Sequence, residues 1–90
     1  MVKLRLFSKL RDIAGAKEVE VEGDGMSIKE ALEKFAARFG DASREVLFDK
    51  EGEMWPSVLL LVNGETATEG AATRVNSGDT VAVLLPTAGG

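Results

Sequence analysis

The sequence contains no cysteine and no histidine. Without cysteine there is no disulfide, no thiolate metal ligand, no nucleophilic thiol and no persulfide on the protein itself. Without histidine the Ser-His-Asp and Cys-His triads, the usual zinc donor sets and the common general base near neutral pH are excluded as well. Autonomous catalysis is therefore not expected. Long apolar runs are also missing. The longest aliphatic stretches, Val58 to Val62 and Val81 to Leu85, fall far short of a bilayer span. The charged opening from Met1 to Lys9 lacks the apolar core of a signal peptide, so a cytosolic protein is expected. Positive charge is outnumbered: 11 basic against 15 acidic residues leave a net charge of −4, which argues against a sequence-independent grip on nucleic acid phosphates. With 90 residues, 44% of them hydrophobic, the chain has material for one domain and one small core.

What is present reads as alternating strands around a helix. Val2, Leu4 and Leu6 alternate with Lys3, Arg5 and Phe7, the period of a strand with one buried face. Ala14-Gly15-Ala16 reads as a turn, after which Val19 and Val21 alternate with Glu18, Glu20 and Glu22, giving a second strand in a hairpin with the first. Ser27-Ile28-Lys29-Glu30 is a capping box, and the apolar positions Ile28, Ala31, Leu32, Phe35, Ala36 and Phe39 form one helical stripe that Gly40 stops. Ala42 to Phe48 has the composition of a short helical turn, and Asp49 to Glu53 of an exposed loop. Trp55, beside Pro56, is expected to plug the edge of the core, with a role as a partner anchor as the alternative. Val58 to Val62 is a third strand, Asn63-Gly64 a turn, Glu65 to Thr68 a short strand, and Thr80 to Leu85 the last strand after Ser77-Gly78-Asp79. The order is ββαβ(β)β.

A single helix covers one face of a small sheet, yet the strands from Val58 and from Val81 are apolar on both faces. If Leu4, Leu6, Val58, Leu60, Val62, Val81, Val83 and Leu85 face the helix, alternation sends Phe7, Leu59, Leu61, Ala82 and Leu84 outward. Such an exposed apolar cluster is a partner-binding signal, unless the segment 41–56 folds over it. Lys3, Arg5, Lys9 and Arg11 are expected to border it with positive charge and to steer an acidic partner.

The last feature is the terminal Gly89-Gly90, reached through Pro86, Thr87 and Ala88. Glycine lacks a Cβ, so a diglycine can thread a narrow tunnel that a side chain would block, presenting the carboxylate as the reactive group.

The run from Lys3 to Gly15, then Val62-Asn63-Gly64, Ser77-Gly78-Asp79, Val81 to Pro86 and the closing Gly89-Gly90 together resemble the molybdopterin synthase small subunit and its ubiquitin-like sulfur-carrier relatives. The resemblance spans essentially the whole chain. It implies an α+β, β-grasp fold, a mixed sheet wrapped around one main helix with the first and last strands parallel and adjacent. The domain would occupy residues 1–85, and residues 86–90 would be a flexible tail. The resemblance further implies that an E1-like activating enzyme uses ATP to adenylate Gly90, that sulfur transfer then yields a thiocarboxylate, and that Gly89 gives access. A carboxylate resists attack until its oxygen becomes a good leaving group, which an acyl adenylate supplies.

On this reading the chain is a protein substrate and sulfur donor with no cofactor of its own. Its partners would be the activating enzyme and a sulfur acceptor such as the molybdopterin synthase large subunit, or target-protein lysines if it also forms isopeptide bonds. Phe7 and Leu84 match partner-surface positions. Arg5, Arg11, Leu59, Leu61, Ala82, Pro86, Thr87 and Ala88 complete the expected docking surface. Two departures stand out. The run before the diglycine has one proline where the family usually has two, which makes it less stiff. The segment from Gly40 to Trp55 is longer than in thiamine-type carriers and resembles that of the longer archaeal and cysteine-biosynthesis members.

Overall fold

The computed structural model describes residues 1–85. Strand β1 (Val2–Leu6) buries Val2, Leu4 and Leu6 and turns Arg5 to solvent, as its alternation requires. The chain does not then turn straight back. Ser8 takes a left-handed φ of 51°, and a helix, α1 (Ser8–Ala14), follows. Gly15 closes it at φ 69°, where a side chain would be strained, with its N–H donating to the Arg11 carbonyl at 2.8 Å. The expected turn at residues 14–16 is thus the end of a helix. Only Leu10 of α1 is buried, too little to write a helical stripe into the sequence. Strand β2 (Glu18–Val21) pairs antiparallel with β1, Val21 opposite Val2 and Val19 opposite Leu4, leaving Glu18 and Glu20 exposed.

Strand β3 (Met26–Ser27) leads directly into α2 (Ile28–Phe39). The capping box forms as expected: the Glu30 N–H donates to Ser27 Oγ at 3.1 Å, and the Ser27 N–H donates to Glu30 Oε1 at 3.0 Å. Ile28, Ala31, Leu32, Phe35 and Ala36 are buried on one stripe, and Gly40 ends the helix. Helix α3 (Asp41–Leu47) takes the place of the expected helical turn and buries Leu47. The loop after it is organised by the Asp49 carboxylate, which accepts from the N–H groups of Glu51 and Glu53 at 2.8 and 3.0 Å.

Strands β4 (Leu59–Val62) and β5 (Glu65–Thr66) are joined by Asn63 at φ 50° and Gly64 at φ 87°, both central residues left-handed as in a tight hairpin turn. A short 3₁₀ turn (Gly70–Ala72) and β6 (Arg74–Val75) precede β7 (Thr80–Leu84). β6 pairs with β3 in a small second sheet absent from the expected order, because strands of two residues carry no readable period.

The main sheet runs β2-β1-β7-β4-β5, with β1 and β7 parallel and every other pair antiparallel. Leu10 of α1, Phe35 of α2 and Leu47 of α3 share one core with Leu4, Leu6, Leu60, Val81 and Val83 from the sheet. The helices therefore form a layer over one face of a mixed sheet, the α+β architecture expected, with α1 and α3 added to the single helix foreseen. Among the described residues no helix is long and apolar enough to cross a membrane.

Candidate functional site

The sheet face away from the helices assembles the outward residues read from alternation. Strand register sets them in rows: Leu59 lies opposite Leu84, and Leu61 opposite Ala82, which in turn lies opposite Arg5. Leu59 is 52% exposed, while Leu61, Ala82 and Leu84 are half-buried. Their inward neighbours Leu60, Val81 and Val83 are buried, so alternation and burial agree. Phe7 follows β1 at the cap of α1, half-buried, and the Arg5 guanidinium sits 5.7 Å from its ring centroid.

The charged border is more balanced than expected. Arg5 and Lys3 both approach the Glu18 carboxylate, at 3.7 and 4.0 Å, so one acidic group offsets part of their charge. Lys9 and Arg11 are exposed on α1 and enter no ion pair among the described residues. The helical part of the segment 41–56 does not fold over the face. α3 packs with α1 and α2 in the helical layer. The expected Gly89 and Gly90, with Pro86, Thr87 and Ala88, lie outside the described residues. β7 carries the chain towards them, with Leu84 on the open face and the buried Val83 beside it.

Trp55 corrects the expectation of a core plug. It is 43% exposed, and its indole N–H donates to the Glu45 carbonyl at 3.1 Å, which fixes the ring against the end of α3. Leu47 and Phe48, a few residues earlier in the chain, are buried in its stead. Only an alternation of buried and exposed neighbours would have revealed this from sequence, and Trp55 lies in an irregular stretch that has none.

The turn end of the sheet is knit by side chains. Asp79 accepts from Asn63 Nδ2 at 3.1 Å and from the Asn76 N–H at 2.8 Å, and these two hydrogen bonds, the backbone one foremost, hold its carboxyl below the ordinary 3.8. Asn63 Oδ1 accepts in turn from the Thr80 N–H at 3.0 Å. This network binds the start of β7 to the end of β4, at the opposite end of β7 from residue 85.

A mixed sheet with parallel first and last strands, helices on one face and an open apolar surface on the other defines a ubiquitin-like β-grasp protein. The family model described as the ThiS family matches residues 4–90. Small archaeal modifier protein 1 of Haloferax volcanii is 33% identical over 87 residues, which is 96% of this chain and 97% of that protein. The solution structure of small archaeal modifier protein 1 from Methanosarcina acetivorans superposes with a TM-score of 0.84 at 29% identity, covering 99% of this chain and 95% of that one. A putative molybdopterin converting factor subunit 1 from Pyrococcus furiosus superposes with a TM-score of 0.71 at 27% identity, covering 96% and 97%. The chain belongs to the ThiS family of ubiquitin-like sulfur carriers. Members of this group are protein substrates of E1-like activating enzymes and not catalysts themselves.

Proposed function

We propose that this protein is a sulfur carrier and protein modifier that works through the carboxylate of Gly90. An E1-like enzyme docks on the open sheet face and joins the Gly90 carboxylate to the α-phosphorus of ATP, releasing pyrophosphate. A sulfur nucleophile supplied by a persulfide donor then attacks the acyl carbon and expels AMP, and reduction of the resulting acyl disulfide by a thiol frees the thiocarboxylate. For conjugation, the amine of a target lysine attacks the same acyl carbon, AMP leaves, the amine proton passes to solvent and an isopeptide bond remains. ATP is consumed by the enzyme and is not held by this chain. Dependence on ATP fits a cytosolic setting. Residues 86–90 act as the tail of the domain formed by residues 1–85.

The observation that carries this reading is that the family match runs through Gly90 on a fold whose open face is apolar. The similarity to small archaeal modifier proteins favours conjugation as one outlet. The similarity to a molybdopterin converting factor subunit favours a molybdopterin synthase large subunit as the sulfur acceptor, into which the tail would insert.

Pyrophosphate exchange with the cognate activating enzyme tests the proposal. Removing Gly89 and Gly90 should abolish exchange with the fold intact. Leu84→Asp should weaken it about tenfold or more through lost docking, as for a buried apolar anchor. A truncated chain that still supports exchange would remove Gly90 from the chemistry. If truncation leaves partner binding unchanged and no exchange is seen even with the whole chain, the protein is a non-chemical interaction module.

A further inference from the structure

Three large hydrophobic side chains stand well exposed among the described residues: Met1 at the start of the chain, Trp55 and Leu59. The last two line one groove of about 290 Å³, together with Pro56, Val58, Ala67 and Ala71. No charged residue lines it among the described residues. The groove is at the small end for a free ligand, and its walls lack the convergent polar groups that would orient one. Nor does it offer free backbone. The Val58 N–H donates to the Trp55 carbonyl at 3.1 Å, and the Leu60 carbonyl accepts from the Ala67 N–H at 3.0 Å. What remains for a partner is apolar side-chain surface, with room for a bulky aliphatic or aromatic side chain.

Trp55 is suited to hold such a side chain. Its indole N–H is satisfied by the Glu45 carbonyl, so the ring is fixed before any partner arrives and little side-chain freedom is lost on contact. Tryptophan beside an apolar pocket is among the residue types that dominate protein interfaces.

Two connections say which partner arrives. Leu59 belongs both to the groove and to the open sheet face, where it lies opposite Leu84, so the apolar surface is continuous from the face into the groove. Trp55 and Val58 also line a second hollow with Val46 and Leu85, which puts the groove at the end of the sheet from which the chain runs on to Gly90. Gly90 lies five residues beyond Leu85, at most about 18 Å of fully extended chain. An enzyme that reacts at the Gly90 carboxylate is therefore tethered by its own substrate to this end of the sheet.

We propose that the groove receives a bulky apolar side chain of the E1-like enzyme that adenylates Gly90, and that Trp55 is a specificity-determining residue of that docking. The inference rests on the reading of Gly90 as the reacting group. Trp55 acts on binding, so its loss is felt in the concentration of this protein that the enzyme needs and not in turnover once bound.

Trp55 is the chain's one tryptophan, so 5-fluorotryptophan labelling gives a single fluorine resonance. The full chain so labelled is titrated with the cognate activating enzyme in the absence of ATP. The resonance should shift and lose most of its relaxation by a soluble gadolinium chelate. In pyrophosphate exchange, Trp55→Ala should raise the KM for this protein about tenfold with kcat unchanged. Trp55→Phe also lacks the N–H that bonds Glu45 but keeps an apolar ring, and should recover most of the loss. Ala71→Glu, which charges the groove wall and leaves Trp55 in place, should raise KM as well. Thermal melts matching the wild type assign these losses to recognition and not to folding. A resonance that keeps its position and its access to the chelate in the saturated complex, or an unchanged KM in folded Trp55→Ala, would overturn the proposal. So would a shift produced by raising the concentration of this protein alone, which would assign the groove to a second copy of the chain. If the resonance responds to the enzyme while no chain supports exchange, the groove contact stands and the reading of Gly90 fails.

Discussion

Glu30 shows how one side chain serves both a helix and its charge balance. The Ser27 N–H and then the Ser27 hydroxyl hydrogen-bond to its carboxylate, and the Arg74 guanidinium lies 3.6 Å away, so its carboxyl is held below the ordinary 4.5. A depressed carboxylate pKa stabilises the fold above the unfolded value and loses that contribution as pH falls through the folded one. Glutamine in place of Glu30 keeps a capping acceptor but has no charge to titrate. Wild type should therefore melt above Glu30→Gln at neutral pH, and the gap should close as the pH is taken below 4.5. Thermal melts of both proteins across that range measure it, and a gap independent of pH would contradict the assignment. Asp79 follows the same sign, its contribution fading below 3.8.

At the scale of elements, what was legible in the sequence depended on length. β1 and α2 were legible because Val2, Leu4 and Leu6, and Ile28 through Phe39, repeat at the period of their own structure over enough residues to register. The hairpin turn at Asn63-Gly64 was legible because both positions require a left-handed backbone that few residues accept. Helix α1 was hidden, since a single buried Leu10 has no periodicity and Gly15 reads equally as a turn or as a helix cap. The β3–β6 pair was hidden for the same reason, although Met26 and Val75 are both buried. Residues whose role rests on long-range geometry, such as the indole of Trp55 reaching the carbonyl of Glu45, leave no local trace at all.

The Asn63 turn also makes an energetic claim that can be checked. Its side chain bonds Asp79 and the Thr80 N–H, while its backbone sits at φ 50°. Asn63→Ala loses both hydrogen bonds and places a Cβ residue without compensation in the left-handed region, which should cost about 1–2 kcal/mol in urea denaturation. Asn63→Gly loses the bonds but tolerates the backbone and should cost less. Equal stability of all three proteins would mean that the turn is set by the strands and not by Asn63.

For the whole molecule, the helices occupy one face of the sheet and leave the other uncovered, so the fold and its exposed apolar face follow from the same alternation. Leu59, Leu61, Ala82 and Leu84 face outward because Leu60, Val81 and Val83 must face the core. The open face was therefore legible in the sequence, but its charge was not. Glu18 reaches Arg5 and Lys3 only because β1 and β2 pair in the register that sets Arg5 opposite Glu18.

The central claim, that Gly90 carries the chemistry, is tested most directly by the intact mass of the protein recovered from its native host, both free and after release from covalent conjugates. The account predicts a fraction in which one carboxylate oxygen is replaced by sulfur, lost on alkaline or oxidative treatment, together with glycyl remnants on lysines of other proteins. A population consisting only of the unmodified chain, with no conjugates under sulfur or molybdenum demand, would contradict it.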